Sequence, residues 1–504
     1  MSGREPHVVG IDAGSTGVRC LVVSVSGHPA ASAQRAWNTA PLPGAPFGST
    51  FDPERYWSLT LESLTEAVAV AGVRPHQILG VAVTSQRLAI VALDRRGRPL
   101  MASPNVDARA IAQGFALEGR AGVKLYETTG HYPALILAPA KLQWLRDREP
   151  RAFARLAHVV PLASYLAFRL TGDIAAERGH LADCGLLDIR SGAVPDDLLR
   201  EAALDPAVVP APVEPGAAVG ALRRTVAQAC GLRAGTPVFA AAPDTQAALL
   251  GCGALDPGDA AVVAGWSAPA QVVTGEPRFD AERRTWTTVH PLPGRWIVES
   301  NATDAGRVWA WAVRLLIGGT DRAMRRAFAE ASKAPPGAGD LTALLGPTVM
   351  GQNAMSRRLG GLVMPTPITL AEPTRGAILR AVLEGVLFAI RGNVEQAAAV
   401  AGVRCERLTL TGGLSRAPVF AQTLADVLDR PVDVALTADA AALGAAICAA
   451  VGAGAFSSFG AARPMMAARH AVTSLPAASA AYADHYRRWL DLDSALTELG
   501  RGLQ

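Results

Sequence analysis

Residues 7–31 contain two runs rich in β-branched side chains, and a short segment of Gly, Ser and Thr joins them. This pattern predicts a β-hairpin rather than a strand that leads into a helix. Residues 260–275 show the same layout of strand, Gly/Ser turn and strand. A hairpin at the head of each half predicts two α/β units with mixed sheets, because an antiparallel pair then precedes strands that alternate with helices.

The length of the chain supports this division. Its 504 residues exceed what one hydrophobic core usually organises, so more than one domain is expected. The turn-forming sequence Asp-Pro-Gly-Asp at 256–259 marks the break. We therefore predict an α/β protein of two domains, residues 1–255 and 256–504, with a ligand bound in the cleft between them.

Hydrophobic periodicity and turn residues predict the main elements of each half. Helices are expected at 53–71, 108–119, 138–147, 151–157, 161–170, from about 245, and at 419–428 and 439–452. Strands are expected at 78–85, 90–93, 236–241, 408–411 and 432–436. An apolar helix around 378–390 is expected in the core between the two halves. An amphipathic segment at 482–503 is expected to pack on the second domain or on another copy of the chain, which leaves a homodimer open.

Composition and charge exclude several classes of protein. With 50% hydrophobic and 18% charged residues, the chain is expected to be compact rather than disordered. The net charge of +4 is spread along the chain, so nucleic acid is not expected as a partner. No signal peptide is recognisable, the six cysteines are scattered singly, and the uncharged stretch 440–462 is rich in Ala, Gly and Ser. We therefore expect a cytoplasmic protein without membrane contact.

The turn of the first hairpin, Asp12 to Gly17, is suited to phosphate groups. Glycine permits close backbone approach, and N–H groups and hydroxyls can surround phosphate oxygens, while Asp12 could hold a hydrated Mg²⁺. The alternative is an ordinary Gly-rich turn. A Walker-type site is excluded, because the chain has no GxxxxGK[ST] sequence and none of its three lysines lies beside a Gly-rich loop. A GxGxxG motif between a strand and a helix is missing as well.

A second acidic residue, Asp244, lies between the strand predicted at 236–241 and the following helix. One interpretation is structural, because Asp is a common N-cap before an apolar helix. The other is catalytic. A carboxylate at this junction that faces the cleft could accept a hydroxyl proton while the oxygen attacks a γ-phosphorus.

Five segments, taken together and in this order, resemble the FGGY family of carbohydrate kinases. They are DAGSTGVR at 12–19, VAVTSQR at 81–87, NVDARA at 105–110, PDTQAALLGCGALDPGDAAVVAGWS at 243–267 and LTGGLSRAPVFAQTLADVLDRPVDVALTADAAALGAA at 410–446. The resemblance extends over nearly the whole chain. It implies two ribonuclease-H-like domains of the actin and sugar kinase superfamily, which close on ATP with Mg²⁺ and on a small ketose or polyol.

The resemblance also implies roles for individual residues. Asp244 matches the catalytic base of the family, and Asp12 matches the residue that positions Mg²⁺. The implied ATP-binding residues are Asp12, Gly14, Ser15, Thr16, Arg19, Gly265, Ser267, Gly306, Gly412 and Gly413. The implied substrate-binding residues are Gln86, Arg87, Asn105, Asp107 and Thr245. An alternative for Arg87 is a surface ion pair at the end of a strand.

Four positions depart from the family pattern, and one of them is Ala417, which stands where an Asn often meets the adenine. The second phosphate loop usually reads Gly-Thr-Ser or Gly-Thr-Gly, whereas here Trp266 replaces the hydroxyl donor, so Ser267 would have to take over its contact. Leu88 stands where glycerol kinases carry a glutamate that binds the acceptor, and Asn105 stands where many members carry a tryptophan. A glycerol substrate is therefore disfavoured.

These observations predict an ATP-dependent kinase that phosphorylates a hydroxyl of a small ketose or polyol, as xylulose kinases do, with Asp244 as general base. The sequence features fit autoinducer-2 kinases, which act on a linear dihydroxypentanedione, about as well. A further alternative is a sugar- or nucleotide-binding protein that descends from a kinase without its activity, which Trp266 and Leu88 favour. In an actin-like or chaperone-like ATP switch, the predicted residues of the acceptor side would have no function.

Overall fold

Both predicted hairpins are present in the computed structural model, which describes residues 5–351, 359–366, 372–437 and 439–502. The strands are β1 (His7–Ala13), β2 (Gly17–Ser24), β3 (Pro29–Ala36), β4 (Ala40–Pro41), β5 (Ser49–Thr50), β6 (Ile78–Ser85), β7 (Ile90–Asp94), β8 (Pro99–Ser103), β9 (Leu156–Pro161), β10 (Ala176–Glu177), β11 (Pro212–Val213), β12 (Ala218–Ala221), β13 (Pro237–Ala240), β14 (Ala260–Val263), β15 (Ala268–Thr274), β16 (Trp286–Val289), β17 (Trp296–Ala302), β18 (Thr342–Leu344), β19 (Gly361–Val363), β20 (Leu408–Thr411), β21 (Val432–Ala435) and β22 (Arg469–Val472). The α-helices are α1 (Pro53–Ala71), α2 (Ile111–Thr129), α3 (Ala138–Arg148), α4 (Pro150–Phe153), α5 (Leu162–Thr171), α6 (Arg178–Asp183), α7 (Asp196–Glu201), α8 (Arg224–Cys230), α9 (Asp244–Cys252), α10 (Ala305–Leu316), α11 (Asp321–Ala331), α12 (Arg375–Ala401), α13 (Pro418–Leu428), α14 (Ala440–Gly452) and α15 (Pro476–Gly502).

The first sheet is built around the N-terminal hairpin. Its strand order is β12-β13-β6-β1-β2-β3, in which β1 and β2 are antiparallel, while β6 runs parallel to both β1 and β13. Successive side chains of β1 enter different cores: Val9 and Ile11 pack in one apolar cluster with α1 and α5, and Val8 packs in another with α14. The alternation follows from the two-residue period of a strand that is covered on both faces.

The second sheet repeats this arrangement. Its order is β16-β17-β15-β14-β20-β21-β22, with β14 and β15 antiparallel and with β20 parallel to both β14 and β21. Helix α12 contains the apolar segment predicted at 378–390 and is buried along that segment, but it packs in the core of the second half rather than between the two halves. The tail helix α15 inserts Tyr482 and Trp489 into the same core.

The two sheets meet through a pair of helices. Helix α14 lies against β1 and β6 of the first sheet and against α9, although it follows β21 of the second sheet in the chain. Alanine and glycine make this close approach possible: a Cβ atom on Gly444 would lie 1.8 Å from the carbonyl oxygen of Ala247, and one on Gly251 would lie 2.1 Å from that of Ala440. Helix α14, the first part of the uncharged stretch, is therefore an internal packing element. Within the described ranges no helix combines the length and the apolar character needed to span a membrane.

Two predicted elements differ from the structure. The helix predicted at 151–157 is only the short α4, and the chain then forms β9, because Val159 and Val160 pair with β7 in a third sheet of order β8-β7-β9. The helix predicted at 108–119 begins at Ile111 and continues to Thr129 through a non-helical residue, Ala121. Both differences arise where tertiary contacts outweigh the local pattern of turn-forming residues.

Candidate active site

The residues singled out by the sequence lie where strands of both sheets end. Asp12 is near the end of β1, Gln86 directly follows β6, and Asp244 follows β13. In the second sheet, Gly265 follows β14 and Gly412 follows β20. Because β1, β6 and β13 are parallel, and so are β14 and β20, these residues lie at the carboxyl ends of their strands, where open α/β sheets usually bind ligands.

The turn of the first hairpin is held by side chains from the acceptor segments. The Ser15 hydroxyl accepts a hydrogen bond from the side-chain amide of Asn105 at 2.7 Å. The Gln86 side chain donates to the Gly14 carbonyl at 3.5 Å and accepts the N–H of Asn105 at 3.3 Å. Thr16 lies exposed at the tip of the turn. Gln86 and Asn105 thus link the predicted acceptor residues to the predicted phosphate turn.

Asp12 combines burial with an unused acceptor atom. Its Oδ1 is buried and has no hydrogen-bond partner among the described residues. Burial raises the pKa of Asp12 to about 6, although the nearby Arg19 lowers it. Arg19 itself pairs with Asp439, at the start of α14, at 2.7 Å. A single carboxylate with a free oxygen fits a Mg²⁺ ion that takes most of its other ligands from phosphate and water.

Asp244 is the first residue of α9, and Pro243 occupies the N-cap position. One oxygen of its half-buried carboxylate accepts the N–H of Thr245 at 2.9 Å. Burial and the neighbouring charge of Asp12 raise the pKa of Asp244 to about 7, against the opposing effect of Arg87. A carboxylate whose pKa is close to neutrality is suited to accept a proton from a hydroxyl group at physiological pH.

The second hairpin turn packs against two glycines from other segments. The N–H of Gly306 donates to the carbonyl of Trp266 at 3.1 Å, and a Cβ atom on Gly306 would lie 2.1 Å from the carbonyl oxygen of Gly265. Gly412 has a left-handed φ of +98°, and a Cβ atom there would lie 2.5 Å from the Ala264 carbonyl oxygen. The structure therefore brings Gly265, Gly306 and Gly412 together.

Ser267 and Gly413 complete the predicted nucleotide residues. The carbonyl of Ser267 accepts the N–H of Gly265 at 2.8 Å across the base of the turn. Gly413 begins the short 3₁₀ helix Gly413–Arg416, and a Cβ atom there would meet no other atom within 4 Å. The indole of Trp266 is half-buried, and the guanidinium of Arg307 lies over it at 5.6 Å.

Arg87 is buried and paired, so the surface ion pair considered from the sequence is not what forms. Its two Nη atoms donate to the two carboxylate oxygens of Glu299, each at 2.7 Å, and its Nε lies 3.9 Å from Asp183. The ring of Trp286 lies 5.3 Å from the guanidinium carbon. Glu299 belongs to the second sheet, so this pair joins the two halves of the chain.

A buried polar network continues from Arg87 to the helix of Asp244. Gln271 donates to Glu299 at 2.9 Å and to the Thr245 hydroxyl at 3.3 Å, and that hydroxyl donates to Gln246 at 2.8 Å. Gln246 in turn donates to Asp183 at 2.8 Å. Sequence reasoning missed Asp183, Gln271 and Glu299. In the sequence, each of the three is only a polar residue next to apolar ones. Such a pattern does not show which residue will be its hydrogen-bond partner.

Two positions singled out by the sequence, Asp107 and Leu88, are buried by contacts outside the predicted acceptor residues. Asp107 is fully buried, and its carboxylate accepts hydrogen bonds from Ser49, Ser103 and Arg109, so it stabilises the loop that carries Asn105. The substrate contact expected for Asp107 therefore has no support in this geometry. Leu88 packs in the apolar cluster of α2 and α3, which agrees with the loss of the acceptor-binding glutamate at this position.

Comparison of the sequence with known protein families identifies the family of this chain. The model of the FGGY family of carbohydrate kinases, N-terminal domain, matches residues 7–251, and the C-terminal domain model of the same family matches residues 260–453. The chain belongs to the FGGY family of carbohydrate kinases. Membership makes the protein a kinase with ATP as phosphoryl donor, and it confirms the two-domain α/β fold expected from the sequence.

Relatives within the FGGY family differ in the substrates that their names give. An autoinducer-2 kinase of Escherichia coli is 28% identical over 474 residues, which cover 91% of this chain and 88% of that protein. The crystal structure of a xylulose kinase from Rhodospirillum rubrum has a TM-score of 0.83 at 26% identity, covering 98% of this chain and all of that one. A gluconate kinase structure from Lactobacillus acidophilus shares the fold, with a TM-score of 0.86 at 18% identity, covering 99% and 100%.

Proposed function

We propose that this FGGY kinase transfers the γ-phosphoryl group of ATP to a hydroxyl of a small ketose or polyol, with Asp244 as the general base. The observation that carries the proposal is the position of Asp244. Its half-buried carboxylate, whose pKa is raised to about 7, follows a strand of the first sheet at the same end as the phosphate turn. An acceptor hydroxyl placed between the carboxylate and the γ-phosphorus would lose its proton to Asp244 as the new P–O bond forms.

The remaining residues would bind and orient the two substrates. The N–H groups of the two hairpin turns and the Ser15 hydroxyl would donate to phosphate oxygens, while Gly306 and Gly412 leave room for the nucleotide. A Mg²⁺ ion beside Asp12 would offset part of the phosphate charge. Approach of the two halves would exclude water, which would otherwise compete as acceptor.

The named relatives favour two acceptors in particular. Xylulose kinase structures support a five-carbon ketose, and the autoinducer-2 kinases support a linear dihydroxypentanedione. Turnover of both compounds with ADP detection separates the two assignments by their kcat/KM values. Binding of ATP and acceptor without ADP release would instead support the non-catalytic alternative, for which the indole of Trp266 is the structural argument.

Substitution of the base tests the mechanism. We expect Asp244→Asn to lower kcat about 10²- to 10⁴-fold while the KM for ATP changes little, because the amide keeps the shape but cannot accept the proton. Asp52→Asn is the matched control, since Asp52 caps α1 in the same half and Asn caps helices equally well. The measurement is steady-state turnover with the fold verified by circular dichroism. Near-normal kcat in a folded Asp244→Asn protein would remove Asp244 as the base.

A further inference from the structure

Two strands of the second sheet present a polar face to Arg87. β15 and β17 are antiparallel, so Gln271 lies opposite Glu299 and Pro269 lies opposite Asn301, with all four side chains on one face. This face contacts the first half of the chain, because Glu299 binds Arg87 and Gln271 reaches Thr245 beside the proposed base. It is therefore the wall of the second half that faces the acceptor side of the cleft.

Glu299 occupies both Nη atoms of Arg87, which reaches this wall from the first half of the chain. The pair is bidentate and is almost completely removed from solvent, with 9% of the Arg87 side chain and none of the Glu299 side chain exposed. An anionic group of a ligand that paired with Arg87 would have to displace Glu299. The Glu299 carboxylate would then be buried without a counter-charge. Breaking a buried pair in this way is strongly unfavourable.

The same carboxylate orients two amide groups. Gln271 donates to one oxygen of Glu299 at 2.9 Å, and Asn301 donates to the other at 3.3 Å. A carboxylate only accepts hydrogen bonds, so the amide NH₂ groups must face Glu299 and the amide oxygens must point away. Both amide oxygens are buried and lack a hydrogen-bond partner within the described part of the chain. They are acceptors that still require a donor.

The acidic groups of the first half that face this wall carry negative charge, as Glu299 does. Burial raises the pKa of Asp244, the charges of Asp12 and Asp183 add to this effect, and Arg87 is the cation that opposes it. With Arg87 committed to Glu299, the acceptor side presents carboxylate and amide oxygens. Hydroxyl groups can donate to such oxygens, whereas a carboxylate or phosphate group of a ligand would meet further acceptors and negative charge.

We propose that Glu299 determines substrate specificity: by holding Arg87 and orienting Gln271 and Asn301, it restricts the site to uncharged, hydroxyl-rich acceptors and excludes sugar acids and sugar phosphates. The inference rests on the proposed function, because it assumes that the acceptor hydroxyl lies beside Asp244. It adds the class of acceptor that the site rejects and a residue responsible for that rejection.

The wild-type protein supplies the first test. ADP release from Mg²⁺-ATP is measured with D-xylulose, D-ribulose, xylitol and dihydroxypentanedione, and with the aldonates D-xylonate and D-gluconate. We expect kcat/KM for the best neutral acceptor to exceed that for either aldonate at least about 100-fold. An aldonate within tenfold of the best neutral acceptor would overturn the inference, but would leave the kinase assignment intact. If no compound increases ADP release, the proposed function itself is wrong.

Three variants test the role of Glu299. Glu299→Gln should shift the ratio of kcat/KM values toward the aldonates at least about tenfold, because it frees the charge of Arg87. The double variant Arg87→Gln/Glu299→Gln, which removes both charges, should restore the preference for neutral acceptors. Glu384→Gln is the matched control, since Glu384 is equally buried and pairs with Arg380 within the second half at 2.8 Å.

The ratio of the two kcat/KM values is informative because a general loss of stability would lower both values together. The KM for ATP and circular dichroism confirm that each variant is folded. An unchanged ratio in folded Glu299→Gln, or the same shift in Glu384→Gln, would overturn the inference. If Glu299→Gln does not fold, the inference is judged by the wild-type ratio of kcat/KM for the best neutral acceptor to kcat/KM for the aldonates.

Discussion

Trp266 is the residue whose chemistry departs most from the family pattern in the nucleotide half of the site. Its indole lies under the guanidinium of Arg307, and its backbone carbonyl accepts the N–H of Gly306, so the turn keeps its shape without the usual hydroxyl. The backbone contacts of the second phosphate loop are thus independent of the side chain at 266. The side chain at 266 instead determines which hydrogen-bond donor the loop can offer to a phosphate group.

Restoring the hydroxyl tests this interpretation. We expect Trp266→Thr to raise kcat/KM for ATP about tenfold or more, because a hydrogen bond to a charged oxygen contributes roughly 1.5–3 kcal/mol. Trp57→Thr is the control, since the Trp57 indole is also stacked with an arginine, Arg169 at 5.1 Å, but lies on α1. A fall in kcat/KM for ATP in Trp266→Thr would show that the stacked Trp266 and Arg307 pair itself binds the nucleotide.

His290 is a residue whose titration affects stability rather than catalysis. It is fully buried, its Nε2 donates to the Ala254 carbonyl at 3.1 Å, and its Nδ1 accepts the N–H of Leu292 at 3.0 Å. Burial lowers the pKa of His290 to about 4 from an ordinary 6.5. The unfolded chain therefore binds a proton at a pH where the folded chain does not, so stability falls as the pH falls from 6.5 toward 4.

Replacing His290 should remove this loss. His290→Gln is expected to be less stable than wild type at pH 7, because a satisfied buried side chain is lost, but the difference should shrink by roughly 2 kcal/mol at pH 4.5. The measurement is urea unfolding at the two pH values. His470→Gln changes an exposed position on β22. Its free energy of unfolding should differ from that of wild type by the same amount at both pH values. A difference for His290→Gln that does not change with pH would contradict the assignment.

At the scale of elements, α9 and α14 decide how the two sheets are joined. α9 carries Asp244 at its first residue, and α14 follows Asp439, which pairs with Arg19 of β2. The helices can approach closely because Gly251 and Gly444 offer no side chain at the contact. Their packing therefore positions the proposed base relative to the phosphate turn.

A methyl group at this contact should be costly. We expect Gly444→Ala to lower the free energy of unfolding by about 2–3 kcal/mol, because its Cβ would lie 1.8 Å from the Ala247 carbonyl oxygen and backbone would have to move. Gly119→Ala in α2 is the control. A Cβ atom there meets no atom of the described residues within 4 Å, so this change should stabilise the protein by roughly 0.5–1 kcal/mol through helix propensity. Equal effects of the two changes in urea unfolding would contradict the close packing of α9 and α14.

At the scale of the whole molecule, the two sheets repeat one plan: a hairpin whose first strand has parallel neighbours on its other side. Each hairpin turn consequently opens at the carboxyl ends of that sheet's parallel strands, and the proposed site takes residues from both sheets. The contacts between the halves are polar at the site, through Arg87 with Glu299 and Arg19 with Asp439, and apolar behind it.

The sequence alone was sufficient for the fold class and for most elements near the site. Hairpins, strands and helices such as β6, α1 and α9 follow from short-range patterns of apolar and turn-forming residues, which act within a few positions of the chain. The family and the candidate phosphate turns followed from the same local motifs. Helix α4 and strand β9 show where local patterns fail, since β9 exists because of its pairing with β7.

The tertiary structure alone decided which side chains meet. Arg87 and Glu299 are 212 positions apart, and Asp183 and Thr288 are 105 apart, so neither partner is encoded in the segment that contains the other. The same holds for Asp107, whose motif suggested a substrate contact but whose carboxylate binds Ser49 of β5, Ser103 of β8 and Arg109. Strand register and helix packing choose these partners, because a buried polar group must find its hydrogen bonds wherever the fold brings a donor or acceptor within about 3 Å.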